Sequence, residues 1–176
     1  MILITGGARS GKSAYAEDRC SGYDRVTYIA TARASSDPEM KERIERHRAR
    51  RPSSWKTVER DRDLAHFAKD TEAILLDCVT VLIGNYLLDA GKDAPDAEEM
   101  SCIEEDVIRE LERLIEASEA EGTEIYIVTN EVGSGIVPMN ALSRAFRDIQ
   151  GRVNQHLASR AREVYVCVSG IPVKIK

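Results

Sequence analysis

The stretch ILITGGARSGKS, residues 2–13, stands almost at the start of this 176-residue chain. A short apolar run leads into a glycine-rich turn that fits GxxxxGK[ST], with Gly6, Gly11, Lys12 and Ser13 at the fixed positions. A helical run, SAYAEDRC, follows directly. A strand, such a turn and a helix in this order favour a phosphate-binding loop over the alternative, a glycine-rich turn that binds nothing.

This loop predicts a particular chemistry. Its main-chain amides point into one concavity beside the positive end of the following helix, where they donate to phosphate oxygens. Lys12 is expected to reach the outer phosphates, and the Ser13 hydroxyl to help hold Mg²⁺. A second metal-side acid is predicted at Asp77, which ends the apolar run AILLD. The alternative for Asp77 is an ordinary strand-ending aspartate in a turn. No NKxD stretch is present, which counts against a Ras-like GTPase.

Short β-rich runs alternate with helical stretches along the whole chain. Nearly continuous apolar strands separated by helices indicate an α/β fold, a mostly parallel sheet flanked by helices, in a single domain over residues 1–176. Two long helices are predicted at 96–121 and 140–161, the second with Asn140 as its N-cap, and a loop at 89–99. The predicted strands are residues 2–5, 25–32, 55–59, 73–77, 124–130 and 163–169.

Composition restricts the functional classes. The formal net charge of −5 argues against a general polyanion-binding surface, so nucleic acid is not an expected partner. We find neither a leader-like N-terminus nor an apolar run long enough for a membrane span, and we expect a soluble cytoplasmic protein. The four scattered cysteines lack CxxC spacing, which favours reduced, buried thiols over a disulfide framework or a zinc site.

The segment RIERHRARRP, residues 43–52, surrounds His47 with five arginines in an acidic protein. One interpretation is a charged helix face. The other is that the arginines neutralise phosphate while a neutral His47 imidazole accepts a nucleotidyl group covalently. His66 and His156 are interpreted as structural or surface residues. Trp55 is interpreted as a packing residue rather than a base-stacking platform.

Several blocks in order resemble one family. They are GGARSGKS, YIATA at 28–32, RIERHRARRP, LLDCVT at 75–80, TNEVGSGIVP at 129–138, FRDIQGRVNQ at 146–155 and VSGIPVKIK at 168–176. Together they resemble the bifunctional adenosylcobinamide kinase / adenosylcobinamide-phosphate guanylyltransferase of cobalamin biosynthesis. The resemblance implies a RecA-like P-loop fold and a homotrimer.

The resemblance also implies the reactions. The family phosphorylates the aminopropanol hydroxyl of adenosylcobinamide with ATP or GTP, then transfers GMP from GTP to that phosphate through a guanylylated histidine, which matches His47. Mg²⁺ is the expected cofactor, with Ser13 and Asp77 as its protein ligands, and Lys12 joins His47 as a catalytic residue. The implied nucleotide-binding residues are Gly6, Gly7, Ala8, Arg9, Ser10, Gly11, Lys12, Ser13, Ala30, Thr31, Ala32, Arg48, Ala49, Arg50, Arg51, Glu59 and Asp77.

Some points stay open at the level of sequence. Asp77 stands where some family members carry Glu, and Arg46 stands where some carry a second histidine. The general base of the kinase step is Glu59, Asp77 or Glu131. The alternatives to a bifunctional enzyme are a small-molecule P-loop kinase with a single activity and a nucleotide-gated regulatory module.

Overall fold

The computed structural model describes residues 1–33 and 52–176 of the chain. Its sheet has seven strands in the order β3-β2-β4-β5-β1-β6-β7. Strands β1 to β6 pair in parallel, and β7 runs antiparallel to β6. The strands are β1 (Ile2–Gly6), β2 (Val26–Ala30), β3 (Lys56–Glu59), β4 (Ala73–Asp77), β5 (Glu124–Val128), β6 (Glu163–Val168) and β7 (Ile171–Lys174).

Helices cover both faces of this sheet. They are α1 (Lys12–Cys20), α2 (Val79–Ala90), α3 (Ala97–Glu121) and α4 (Ala141–Arg160), with a 3₁₀ helix at Leu64–Ala68. None of the helices in the described residues is both long and apolar enough to cross a membrane.

Alternate residues of β1, β2, β4, β5 and β6 supply two separate cores. In β4, Ile74 and Leu76 pack with α2, α3 and α4, whereas Ala73 and Leu75 pack on the other face with residues of α1. Successive side chains of a strand point to opposite faces, so a strand buried on both sides must be apolar throughout. This explains the unbroken apolar runs of the sequence.

Most predicted elements are confirmed, with small shifts at their ends. The helix predicted at 96–121 is α3, and Asp96 and Glu99 form a capping box at its start. The helix predicted at 140–161 is α4, where Asn140 accepts from the backbone N–H of Ser143 at 2.7 Å. Trp55 is buried in the α1-side core, as predicted. His156 lies on α4, with Nε2 2.6 Å from Glu112 Oε1.

Two expectations are corrected, and two elements were not predicted. The loop predicted at 89–99 is shorter, because α2 continues to Ala90 and α3 begins at Ala97. Helix α2 and strand β7 had no counterpart among the predicted elements. The expectation of buried thiols fails at Cys102, which is exposed on α3, whereas Cys20 and Cys167 are buried.

Candidate nucleotide site

The phosphate loop joins β1 to α1 with almost no free space around its first glycine. Gly6 has φ +151°, and a Cβ there would lie 2.5 Å from the Cys167 carbonyl oxygen and 2.6 Å from Ser10 Oγ. Gly11 takes φ +93° at the N-cap of α1. Both are conformations that favour glycine. The two glycines of the motif are therefore required by the backbone path itself.

Lys12 opens α1 and is largely buried, with 8% of its surface exposed. Its Nζ donates to the Gly7 carbonyl oxygen at 2.9 Å, so the ammonium group lies over the loop. Ser10 Oγ is buried and has no hydrogen-bond partner among the residues that the structure describes. Buried hydroxyls are normally paired. An unpaired hydroxyl and a buried ammonium group on one glycine-lined turn fit an anionic ligand such as phosphate.

The hairpin turn between β6 and β7 supports the loop from the β6 side of β1. Ser169 and Gly170 join β6 to β7, with φ values of 52° and 85°. The Gly170 N–H donates to the Ser10 carbonyl oxygen at 2.9 Å. A Cβ on Gly11 would meet the Gly170 Cα at 3.0 Å. The loop is thus enclosed by residues from both ends of the described chain.

Asp77 lies at the carboxyl end of β4, as predicted, with one strand between it and β1. At ordinary strand spacing the two strand ends are about 10 Å apart. Helix α1 closes this gap, because it packs against β1, β5 and β4. Burial raises the pKa of the Cys78 thiol to about 11, and the Lys12 charge acts in the opposite direction. The loop and the end of β4 are thus linked through one helix that contacts all three strands.

Tyr28 holds the Asp77 carboxylate. Its hydroxyl donates to Asp77 Oδ2 at 2.6 Å, and its ring is buried in the sheet next to β4. Sequence reasoning did not single out this tyrosine, although it lies in the YIATA block. The sequence feature that could have indicated its role is a tyrosine two residues before the end of a buried strand.

The predicted contacts at Ala30, Thr31 and Ala32 lie where β2 ends, beside Asp77. The Thr31 hydroxyl donates to the Cys78 carbonyl oxygen at 2.8 Å and accepts from the Cys78 N–H at 3.0 Å. Its backbone N–H donates to the Asp77 carbonyl oxygen, and its own carbonyl accepts from Asn85 Nδ2. Thr31 thus fastens β2 to the chain after β4, and its nucleotide contact stays a prediction.

An ion-pair group fixes the chain that leaves β2. Arg33 donates through Nε to Asp61 and through both terminal nitrogens to Asp89, each at 2.6 Å. Arg62 also donates to Asp89, at 2.8 Å, and its guanidinium carbon lies 3.4 Å from the ring centre of Tyr86. The Arg33 guanidinium lowers the pKa of the Asp89 carboxyl. These contacts tie the end of β2 to the last turn of α2.

Glu59 is exposed at the end of β3, four strand positions from β1. That separation is about 19 Å at ordinary strand spacing. Glu59 and the phosphate loop therefore lie at the same edge of the sheet, where the parallel strands have their carboxyl ends, but they are four strand positions apart. His47, Arg48, Ala49, Arg50 and Arg51 lie outside the described residues, and their roles stay predictions.

The chain after β5 lies directly beside the phosphate loop. The Glu131 N–H donates to the Gly6 carbonyl oxygen at 3.0 Å. Two residues before Glu131, the Thr129 hydroxyl accepts a hydrogen bond from Gln150 Nε2 at 2.9 Å. The same Gln150 nitrogen donates to Asn154 Oδ1 at 2.9 Å. Asn154 Nδ2 donates in turn to the Asn130 carbonyl oxygen. This network connects the FRDIQGRVNQ block of α4 to the TNEVGSGIVP block. The sequence alone had not indicated a structural role for either block.

The donor set also fits Mg²⁺. Ser13, half-buried in the first turn of α1, offers a hydroxyl, and Asp77 offers a carboxylate held by Tyr28. Mg²⁺ prefers oxygen ligands and is commonly held by one or two protein groups together with substrate phosphates. Within the described residues no cluster of three or more His, Cys, Asp or Glu could hold a metal by protein groups alone.

A strand, a phosphate loop and a helix, with an acid at the end of a nearby parallel strand, define a P-loop nucleotide-binding protein. An ATPase of the type III secretion system of pathogenic bacteria shares the fold, with a TM-score of 0.56 over 98% of this chain and 56% of that one, at 15% identity. The prediction of a mostly parallel, RecA-like P-loop fold is confirmed.

The chain belongs to the cobinamide kinase / cobinamide phosphate guanyltransferase family, whose model matches residues 2–175. It is 48% identical over 181 residues to the bifunctional adenosylcobalamin biosynthesis protein CobU of Escherichia coli strain K12, covering 100% of this chain and 99% of that protein. The protein of the same name from Salmonella typhimurium strain LT2 is 47% identical over 182 residues, with the same coverage. The family resemblance seen in the sequence is confirmed.

The enclosure of Gly6 generates a stability prediction. We expect Gly6→Ala to lower the free energy of unfolding by about 2 kcal/mol, because the added methyl group overlaps a backbone carbonyl that β6 holds in place. Urea denaturation followed by circular dichroism measures the change. Gly7→Ala is the matched control, since a Cβ there meets no atom within 4 Å. Equal losses in the two variants would contradict the steric explanation.

The Tyr28 contact generates a prediction about metal dependence. Because Tyr28→Phe keeps the ring but removes the donor to our candidate metal acid, we expect the Mg²⁺ concentration for half-maximal turnover to rise about tenfold. Initial rates measured across a MgCl₂ series test this. Tyr23→Phe is the control, because its hydroxyl faces that of Tyr126 at 3.3 Å, near the amino ends of the strands. An unchanged Mg²⁺ dependence in Tyr28→Phe would show that this hydrogen bond does not support metal binding.

Proposed function

We propose that this chain phosphorylates adenosylcobinamide with ATP or GTP and then transfers GMP from GTP to the adenosylcobinamide phosphate, releasing pyrophosphate. The observation that carries the proposal is a complete phosphate loop with Asp77 nearby, in a chain that matches the bifunctional family over residues 2–175. Both reactions use a nucleoside triphosphate, so one loop can serve both.

The chain's own residues bind and orient the triphosphate. Backbone amides of residues 6–13 donate to phosphate oxygens at the positive end of α1, and Lys12 exchanges its Gly7 carbonyl partner for phosphate. Ser13 and Asp77 would hold Mg²⁺, which neutralises phosphate charge when bound. The nucleotide extends from the phosphate loop along this edge of the sheet. Its end farthest from the loop contacts Ala30, Thr31, Ala32 and Glu59.

The transfer of GMP proceeds in two displacements. A ring nitrogen of His47 attacks the α-phosphorus of GTP, an N–P bond forms, and the bond from that phosphorus to the pyrophosphate oxygen breaks. A phosphate oxygen of adenosylcobinamide phosphate then attacks the same phosphorus. The N–P bond breaks, His47 is regenerated, and adenosylcobinamide-GDP is formed. Arg48, Arg50 and Arg51 neutralise the transferring group.

The kinase step needs a group that takes the proton of the aminopropanol hydroxyl. The strand order favours Asp77 and Glu131 over Glu59, because both lie within two strand positions of β1. The Glu131 carboxylate is exposed, and its Oε1 accepts from the Gly133 N–H at 3.1 Å. Assembly as a homotrimer stays a prediction from the family resemblance, and a cytoplasmic location stays a prediction from the composition of the sequence.

Covalent labelling tests the transfer route. After incubation with α-labelled GTP and Mg²⁺, we expect acid-labile, alkali-stable label on the wild-type protein and none on His47→Ala, because a phosphoramidate is the only covalent link in the scheme. Mass spectrometry of the labelled peptide locates the site. His66→Ala is the matched control, since His66 is exposed on the 3₁₀ helix. If wild-type protein phosphorylates adenosylcobinamide but takes up no label, the kinase with a single activity is the correct alternative.

Substitution of Lys12 tests whether one loop serves both reactions. We expect Lys12→Ala to reduce both the phosphorylation rate and the labelling rate by at least about 100-fold, because both need the same triphosphate charge to be neutralised. His47→Ala should retain the phosphorylation rate. Separate assays of the two half-reactions measure this division. Loss of only one activity in Lys12→Ala would indicate two independent nucleotide sites.

A further inference from the structure

The loop between β5 and α4 exposes large apolar side chains to solvent. Ile136 is 96% exposed, Val137 57% and Met139 98%. The run 132–139, VGSGIVPM, contains no charged residue, although 31% of the whole chain is charged. Concentrated exposure of this kind on a soluble domain is typical of a binding surface.

These exposed side chains lie in a loop whose two ends are both fixed by hydrogen bonds. At its start, the Asn130 N–H donates to Thr80 Oγ1 at 2.9 Å, and the Glu131 N–H donates to the Gly6 carbonyl oxygen. At its end, Arg144 donates to the carbonyl oxygens of Pro138 and Met139, at 3.1 and 2.5 Å. Hydrogen bonds to the backbone of this loop thus fix both of its ends, while its large apolar side chains stay exposed.

The loop also lies close to the phosphates that the nucleotide site would bind. Glu131 is bonded to Gly6, and Ile136 is five residues further along the chain. Five residues span at most about 18 Å when fully extended, so Ile136 cannot be farther than that from Glu131. A substrate that receives a phosphoryl group at the phosphate loop can therefore reach the loop at 132–139 with another part of its structure.

We propose that Ile136, Val137 and Met139 form the surface that holds the corrin ring of the cobinamide substrate while its aminopropanol arm reaches the phosphate loop. The inference rests on the proposed function. A corrin ring has broad faces of methyl and methylene groups and an amide-bearing rim, so an uncharged apolar surface suits its face. The flexible, polarisable side chain of Met139 can follow an irregular outline. Small-molecule sites are mostly apolar, with few polar groups.

A second copy of the chain is the competing occupant of this surface. A further group of exposed apolar residues lies on the β6–β7 hairpin and the chain after it, at Val168, Ile171, Val173 and Ile175. The hairpin includes β7, the last strand of the described sheet, which is the ordinary place for one chain to pair with another. The loop at 132–139 is instead bonded to the nucleotide site, which favours the substrate as its occupant.

The double variant Ile136→Ser/Met139→Ser tests the proposal, because both side chains are exposed and their loss should not affect folding. We expect the KM for adenosylcobinamide in the kinase assay, and for its phosphate in the transfer assay, to rise at least about tenfold. Labelling of His47 by GTP involves no corrinoid, so its rate should not change. Ile136→Leu/Met139→Leu should restore the wild-type KM, and Val173→Ser/Ile175→Ser is the matched control and should not alter it.

Each outcome decides between the occupants. A wild-type corrinoid KM in the serine variant overturns the proposal. Light scattering identifies a second copy: if the serine variant has a lower oligomeric mass than wild type, with or without a change in KM, the surface is an interface between copies and the proposal fails. A raised KM at unchanged mass and unchanged labelling supports it. A wild-type protein that neither phosphorylates adenosylcobinamide nor takes up label would instead refute the proposed function.

Discussion

The carbonyl oxygen of Cys167 occupies the place that any side chain at position 6 would need. This single contact lets the first turn of the chain lie against β6, and the positions of Lys12 and Ser13 follow from it. Because β1 lies between β5 and β6, the same turn is also bonded to Glu131 on the other side. The phosphate loop is therefore part of the sheet edge and not a free connection.

The strand between the loop and Asp77 gives this edge its layout. With β5 inserted between β1 and β4, the ends of these two strands are about 10 Å apart, so the acid and the loop face each other across one strand. Helix α1 packs against all three strands, and the chain after β5 begins between the ends of the other two. Side-chain hydrogen bonds from Tyr28 and Thr31 then fix the β4 side. The loop, the acid and the start of the segment at 132–139 are thus held by a combination of backbone and side-chain hydrogen bonds.

The sequence alone predicts a structural element correctly when all the residues that determine that element lie in one short segment. The phosphate loop and the strands buried on both faces are of this kind, because their glycines and apolar runs follow from local geometry. Helix α2 was missed because VTVLIGNYLLDA is apolar on most sides, being packed between the sheet and other helices, and shows no helical stripe. Strand β7 was missed because IPVK is short, exposed and contains Pro172.

The parts of the site that sequence did not reveal depend on the order of strands. Asp77 could be placed at the carboxyl end of a parallel strand from its own run of residues. Its partner Tyr28 could not, because that contact exists only if β2 and β4 are neighbours. The network of Gln150 and Asn154 with Thr129 likewise joins residues more than twenty positions apart.

The hydrogen bond from Gly170 to Ser10 has a consequence for how the protein is made. During synthesis the glycine-rich turn leaves the ribosome long before the hairpin that supports it. Until residues 163–170 emerge and β6 pairs with β1, the turn lacks both the carbonyl against which Gly6 packs and the donor that fixes Ser10. A nascent chain therefore has the whole motif but not its working shape, and the capacity to capture a triphosphate arises only at a late stage of translation.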